Sequence, residues 1–347
     1  MIRIALDAMG GDNAPGEIVR GGVEAAVGLE DVKVLLVGVK EQIDAELAKY
    51  PKEVAAATKK GTLEVIHAPD VAEMDESPVT AVRKKKDCSI NVAMRLVKEN
   101  RADVFVSAGN SGAVATSAIL NLGRIPGVKR PAIAMVLPTK SPTRPLLLLD
   151  AGANMDCHPE WLAQFAVMGS VYSKTVIGRE NPSVGLLSIG TEACKGNELI
   201  HETNPLLSKI EGLNFVGNIE GHDICGGNLD VAVADGFVGN VVLKTVESVA
   251  HAIGGWLKAE LKKSLFRKLC ALMLKPAFNA LKKQMDPEVY GGAPLLGVPG
   301  AVIITHGNST HKAIFYAVKA GVAAATNDVT GLIEKAIAEH AENTKQS

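Results

Sequence analysis

The chain is poor in aromatic residues, which make up only 4% of its 347 positions. That excludes a surface that stacks nucleic-acid bases on aromatic rings. It has no excess of either charge. The formal net charge is −1, so no global field draws nucleic acid, and any basic surface has to be local. It has no cysteine pairs. Cys88, Cys157, Cys194, Cys225 and Cys270 are far apart, with no CxxC and no Cys/His spacing of a zinc site. Unpaired cysteines of this kind read as a reduced, cytosolic chain. No apolar run approaches the ~18 residues of a membrane-spanning helix. The first residues, Met1 to Leu6, read as a buried strand rather than a signal peptide. There is no internal repeat, no low-complexity linker, and no GxGxxG followed by an acid ~20 residues on, the mark of a standard dinucleotide site.

What is present is apolar material, 47% of the residues. That is too much for a disordered chain, and enough for one large α/β unit or two lobes. Short apolar runs predict strands over 2–7, 32–37, 63–68, 104–107, 132–137, 146–150, 184–189, 214–219, 231–234 and 301–305. Several are apolar on both faces, as strands of a covered sheet are. Helical patterns alternate with them, for example over 16–27, 90–99, 159–172, 241–261 and 312–325. This alternation gives an α/β fold with a largely parallel sheet. The organisation expected is one two-lobed unit over 1–338 and a polar, fraying tail over 339–347.

Six polar turns end apolar runs. They hold Asp7, Gly10, Gly11 and Asp12; Asn110, Ser111 and Gly112; Asp150 and Asn154; Thr191, Lys195 and Asn197; Asp235 and Asn240; and His306 with Asn308. A strand that ends in such a turn and enters a helix presents free N–H groups at the positive end of the helix dipole, which suits phosphate. Six of them predict a polar crevice at the carboxyl ends of a parallel sheet.

Residues 256–285 depart from the pattern. They carry seven lysines and Arg267 against one acid, Glu260. Leu257, Leu261, Leu265, Leu269 and Leu272 form an apolar stripe beside this basic face. Pro276 predicts a helix break near Lys275. The segment reads as an amphipathic helical hairpin standing off the body. It packs on the core or on a second subunit, or binds an anionic membrane surface, where each basic residue contributes ~1 kcal/mol, and both can hold if its base packs in a dimer while its tip touches lipid.

IALDAMGGD at 4–12, ESPVTAVRKKKD at 76–87, VSAGNSGA at 106–113, RIPGVKRPA at 124–132, LLDAGANMDCHPEWLAQFAVMG at 148–169, GLLSIGTEACKGNEL at 185–199, FVGNIEG at 215–221, ADGFVGNVVLK at 234–244 and YGGAPLLGVPG at 290–300 follow in order along nearly the whole chain. Together they resemble the motifs of the bacterial acyl-ACP:phosphate acyltransferase family. The resemblance implies a dimeric Rossmann-like three-layer α/β/α fold, related to the phosphotransacetylase and isopropylmalate-dehydrogenase-like architecture. It implies transfer of a fatty acyl group from acyl carrier protein to inorganic phosphate, giving the acyl phosphate used in phospholipid synthesis. It also implies a cytoplasmic protein peripherally associated with the membrane. The chain departs from the family pattern at Ser111, Ser188, Val238, Asn308 and Thr310.

The residues suit that chemistry. Phosphate is itself the nucleophile, so no catalytic Ser or Cys, metal or cofactor is required. The leaving thiol has a pKa near ~8.5 and needs little protonation. What remains is to position phosphate and stabilise an oxyanion. Lys195 is the first choice of catalytic residue, to neutralise phosphate or the oxyanion; otherwise it is a solvated surface lysine. Asn240 is the second, as a donor to the thioester oxygen or as a helix cap. Asn110 and Ser111 sit in the turn most like a phosphate cradle, where capping competes. Asp7, Gly10, Gly11, Gly112, Asp150, Asn154, Thr191, Asn197 and Asp235 complete the substrate-binding set. The basic runs Arg83 to Lys86 and Arg124/Lys129/Arg130 suit an acidic carrier or are solvated faces. The alternatives are a phosphotransacetylase acting on short acyl-CoA, a decarboxylating dehydrogenase with nicotinamide and a divalent metal, and a membrane-surface scaffold.

Overall fold

A computed structural model describes residues 1–285 and 290–346, with the side chains of 1–281 and 290–343. The side chains of Lys282, Lys283 and Met285, and the last residue of the expected tail, lie outside the described residues.

β1 (Ile2–Asp7) shows how the strands form. Successive side chains point to opposite faces, so Ile4 and Leu6 enter one apolar core and Ala5 enters another. The same holds for β2 (Val32–Gly38), β3 (Leu63–His67), β4 (Val104–Ser107), β5 (Ala132–Leu137), β6 (Leu146–Leu149), β7 (Val184–Leu187), β8 (Phe215–Ile219), β9 (Val231–Val233), β10 (Ala293–Leu296) and β11 (Ala301–Ile304). All eleven form one sheet in the order β3-β2-β1-β4-β11-β10-β5-β6-β9-β7-β8. The expected strands are present, half of them ending a residue or two early. The sequence patterns missed β10, a four-residue strand holding Pro294 between glycine-rich turns.

β10 decides the geometry. β3, β2, β1, β4 and β11 run parallel, and so do β6, β9, β7 and β8. Between these wings β10 is antiparallel to both β11 and β5, and β5 is antiparallel to β6. Following these reversals across the sheet, the two wings point in opposite directions.

Helices cover both faces, giving three layers. Gly16–Gly28 and His311–Thr326 bury Ile18, Val19, Ile314 and Val318 against one face of the first wing. Pro159–Tyr172 and Glu198–Ser208 bury Phe165, Met168 and Leu207 against the second. A further core spans the opposite face of both wings through Phe105, Ile133, Leu148 and Ala232.

The helix Gly236–Lys262 leaves the second wing and is followed by Leu265–Met273 and Lys275–Met285. Ser264 interrupts the first pair and caps the second helix by accepting from the Arg267 N–H at 3.1 Å. Pro276 stands in the first turn of the third helix, where no N–H is needed. The expected break therefore falls one residue earlier, at Leu274. Trp256, Leu265, Phe266, Leu269, Leu272 and Met273 are exposed. At the end of the chain, helix Val329–Gln346 continues through residues expected to fray.

Candidate active site

The opposed wings divide the polar turns into two groups. The registers Leu149↔Val233 and Leu186↔Val233 place the ends of β6, β9 and β7 side by side. The turns bearing Asp150, Asp235 and Lys195 therefore share one edge of the sheet. The registers Leu6↔Val106 and Ile303↔Val106 place the ends of β1, β4 and β11 together, with Asp7, Asn110 and His306 on the opposite edge. The helix Ser111–Asn121, about 16 Å long at 1.5 Å per residue, runs back from the second edge toward the first. The single crevice expected from the six turns is thus two clusters.

On the first edge, Asp150 is fully buried. Its carboxylate accepts N–H bonds from Ile133 at 3.0 Å, Gly152 at 3.1 Å, Ala153 at 3.0 Å and Asn154 at 2.7 Å. Burial pushes this carboxyl above its ordinary range, against those hydrogen bonds. The Asn154 Nδ2 donates to Asp150 and to the Pro131 carbonyl, at 2.8 Å each. Both side chains therefore shape the turn, and neither offers phosphate a donor. Cys157, whose Sγ donates to the Asn154 carbonyl at 3.5 Å, is no thiolate: burial pushes its thiol up to about 12.

The next helix packs straight onto this turn. A Cβ at Gly239 would lie 1.9 Å from the Asp150 carbonyl oxygen, and one at Gly236 would lie 2.5 Å from the Asn154 carbonyl. Only glycine fits at either place. Asp235 caps the helix, accepting from the Phe237 and Val238 N–H groups at 3.0 Å each. The capping role weighed for Asn240 thus belongs to Asp235. Asn240 is half-buried, faces Gly152, and among the described residues its amide has no hydrogen-bond partner.

On the neighbouring strand, Lys195 is exposed, and among the described residues no carboxylate pairs with it. Its stem crosses Gly190, where a Cβ would lie 2.8 Å from Lys195 Cγ. The loop is held from below. Asn218 Nδ2 donates to the Glu192 carbonyl at 3.0 Å, and Ser188 Oγ donates to the Lys195 carbonyl at 3.3 Å. Asn218 was not singled out from the sequence. Its signal was an asparagine inside a strand, and Asn204 Nδ2 in turn donates to it at 2.8 Å. Asn197 is a cap, accepting from the Ile200 N–H at 3.1 Å. Thr191 is exposed on the loop.

On the opposite edge, Asp7 is fully buried and accepts from Ser107 Oγ at 2.6 Å and the Met9 N–H at 3.2 Å. Burial pushes its carboxyl up, against these bonds. A Cβ at Gly10 would lie 2.5 Å from that carboxylate, and one at Gly11, with φ of 101°, 2.8 Å from the Gly307 carbonyl. Asn110 caps its helix through the Ala113 N–H at 3.1 Å and donates to the Met74 carbonyl at 3.0 Å. Ser111 and Gly112 are exposed in that first turn. This cluster knits β1, β4 and β11 together at the edge opposite to that of Lys195 and Asn240.

Beside the Asp150 turn is a hollow of about 410 Å³ lined by Ile119, Arg124, Lys129, Arg130, Pro131 and Trp161. The Arg130 guanidinium stands 4.8 Å over the Trp161 ring. Arg124 donates to the Lys129 carbonyl.

Residues 2–332 match the family described as fatty acid synthesis protein. The phosphate acyltransferase of Desulfitobacterium hafniense (strain Y51) is 52% identical over 320 residues, covering 92% of each chain. Among solved structures, the fold resembles the EutD phosphotransacetylase of Staphylococcus aureus, with a TM-score of 0.62 at 17% identity over 93% of this chain and 94% of that one. It also resembles 4-hydroxythreonine-4-phosphate dehydrogenase from Klebsiella pneumoniae, with a TM-score of 0.52 at 14% identity over 94% of this chain and 99% of that one.

Proposed function

The chain belongs to the fatty acid synthesis protein family, and we propose that it moves a long-chain fatty acyl group from acyl carrier protein to inorganic phosphate. It is an acyltransferase that passes acyl groups to phosphate in fatty acid and phospholipid synthesis. The carrier as donor and the roles of individual residues are the proposal.

A phosphate oxygen attacks the thioester carbonyl. The carbonyl π electrons move onto oxygen, and the tetrahedral intermediate collapses to acyl phosphate and the carrier thiolate. Lys195 offsets the charge of phosphate and of the oxyanion. The Asn240 amide donates to the thioester oxygen as it gains charge. The observation that carries this reading is that a cation and an amide with no partner among the described residues end up at the ends of the neighbouring strands β7 and β9. Every other polar side chain of these turns for which a hydrogen bond is described is spent on the turn itself.

Two further features belong to the reading. A homodimer is supported by the exposed apolar row Val241, Val249, Ile253 and Trp256 on helix Gly236–Lys262. Peripheral contact with anionic lipid is supported by the exposed leucines and Phe266 beside the lysines of 256–285. No helix of the described residues is long and apolar enough to cross a membrane.

The test incubates the protein with palmitoyl-acyl carrier protein and phosphate, follows thiol release, and traps acyl phosphate with hydroxylamine. Phosphate-dependent release with a hydroxamate product is expected. Release from acetyl-CoA but not from the carrier would replace this reading with a short-chain phosphotransacetylase.

A further inference from the structure

We propose that the hollow beside the Asp150 turn is where the acidic carrier docks, with Arg124, Lys129 and Arg130 holding the phosphodiester of its thiol-bearing arm. This rests on the carrier being the acyl donor.

The first observation is charge without a partner. Arg124, Lys129 and Arg130 are exposed around one concavity, and among the described residues none of them pairs with a carboxylate. In the run Arg83 to Lys86, Lys85 is bound to Glu76 at 2.7 Å. That run closes the helix Pro78–Lys84, whereas the hollow gathers three positive groups around one concavity.

The second observation is the composition of the wall. Ile119, Pro131 and Trp161 give it an apolar side, and stacking on Trp161 holds the Arg130 guanidinium in place. A phosphodiester on a partly apolar arm matches a wall with cations at one part and apolar groups at another. A flat lipid surface or a nucleic-acid groove has no such match to a concavity.

The third observation is continuity with the site. Pro131, in the wall, accepts from Asn154 Nδ2, and Ile133 donates to the Asp150 carboxylate. The hollow is therefore fixed to the turn on which helix Gly236–Lys262 and Asn240 are seated. An arm anchored there delivers its thioester along the same edge.

The experiment compares wild type with Lys129→Glu, Lys129→Glu/Arg130→Glu and the control Arg83→Glu/Lys84→Glu. Binding of fluorescein-labelled holo-acyl carrier protein is read by anisotropy, and KM and kcat are read with palmitoyl-carrier and phosphate. The double reversal is expected to weaken carrier binding and raise KM at least tenfold, with kcat within twofold. Lys129→Arg and the control pair should match wild type. The single Lys129→Glu keeps the test valid should loss of the Arg130 stack disturb folding. Unchanged carrier binding in folded reversal variants would overturn the proposal, as would a collapse of kcat at unchanged KM. Wild type that binds the carrier but releases no thiol would instead sink the functional reading and leave the docking result standing.

Discussion

Asn154 Nδ2 donates to the Pro131 carbonyl at 2.8 Å and so ties the turn after β6 to the segment entering β5. These strands are antiparallel neighbours, so the bond joins the end of one to the start of the other. The same nitrogen donates to Asp150. Asn154→Ala is expected to leave a buried carboxylate short of a donor and to cost about 1–3 kcal/mol. Urea unfolding would measure this, and an unchanged midpoint would show that the turn holds without the bond.

Lys195 places a positive charge on this edge, over a loop held from beneath. Lys195→Ala should lower kcat by about 10²–10³-fold, the scale of removing one stabiliser of an oxyanion. Its melting temperature should match wild type, because the amine holds no other residue. Phosphate-dependent thiol release in a folded Lys195→Ala protein at wild-type rate would remove it from the mechanism.

Asp235 and Asn240 separate a structural from a chemical task within one helix start. Asp235→Ala should lose about 1 kcal/mol of stability through the lost cap. Asn240→Ala should keep its stability and lose turnover. Circular dichroism melts beside steady-state rates distinguish the two, and a destabilised Asn240→Ala would return that residue to a structural role.

Gly239 is pressed against the Asp150 carbonyl. Gly239→Ala places a methyl where 1.9 Å separates it from that oxygen. Backbone on both sides has to move, at a cost of about 3 kcal/mol or more. A soluble variant with wild-type denaturation and activity would show that the helix start can slide.

Acid stability should depend on Asp230. Burial pushes its carboxyl up, but the Ser183 N–H and hydroxyl and the Arg144 guanidinium outweigh this and hold it below its usual range. Arg179 adds an ion pair at 3.3 Å. With the folded pKa below the unfolded one, the stabilisation is present above the unfolded value and is lost as pH falls through the folded one. Asp230→Asn should therefore be less stable at neutral pH and show a flatter acid limb. Urea midpoints from pH 7 down to pH 2 test this, and parallel limbs for the two proteins would refute it.

Much of this protein was legible in its sequence because the signals are local. Ile2–Asp7 is a strand because Ile2, Ile4 and Leu6 alternate along one face, and Pro159–Tyr172 a helix because its apolar residues recur at helical spacing. The motifs around Asp150, Lys195 and Asn240 carried the family. What the sequence left open at Asn110 and Asn240 was whether each amide caps a helix or waits for a ligand. That depends on where one N–H group lies: Asn110 caps its helix, as does Asn197, which the sequence suggested only as a substrate-binding residue.

The tertiary structure alone decided which turns meet. Alternating strands and helices predict carboxyl-end turns, but not the direction of one strand relative to a distant one. β10 is four residues long and holds a proline, so no pattern marks it. Yet its insertion between β11 and β5 helps turn the second wing over. Strand direction is set by long-range pairing, and that pairing sends Asp7 and Asn110 to one edge and gathers Asp150, Lys195 and Asn240 on the other.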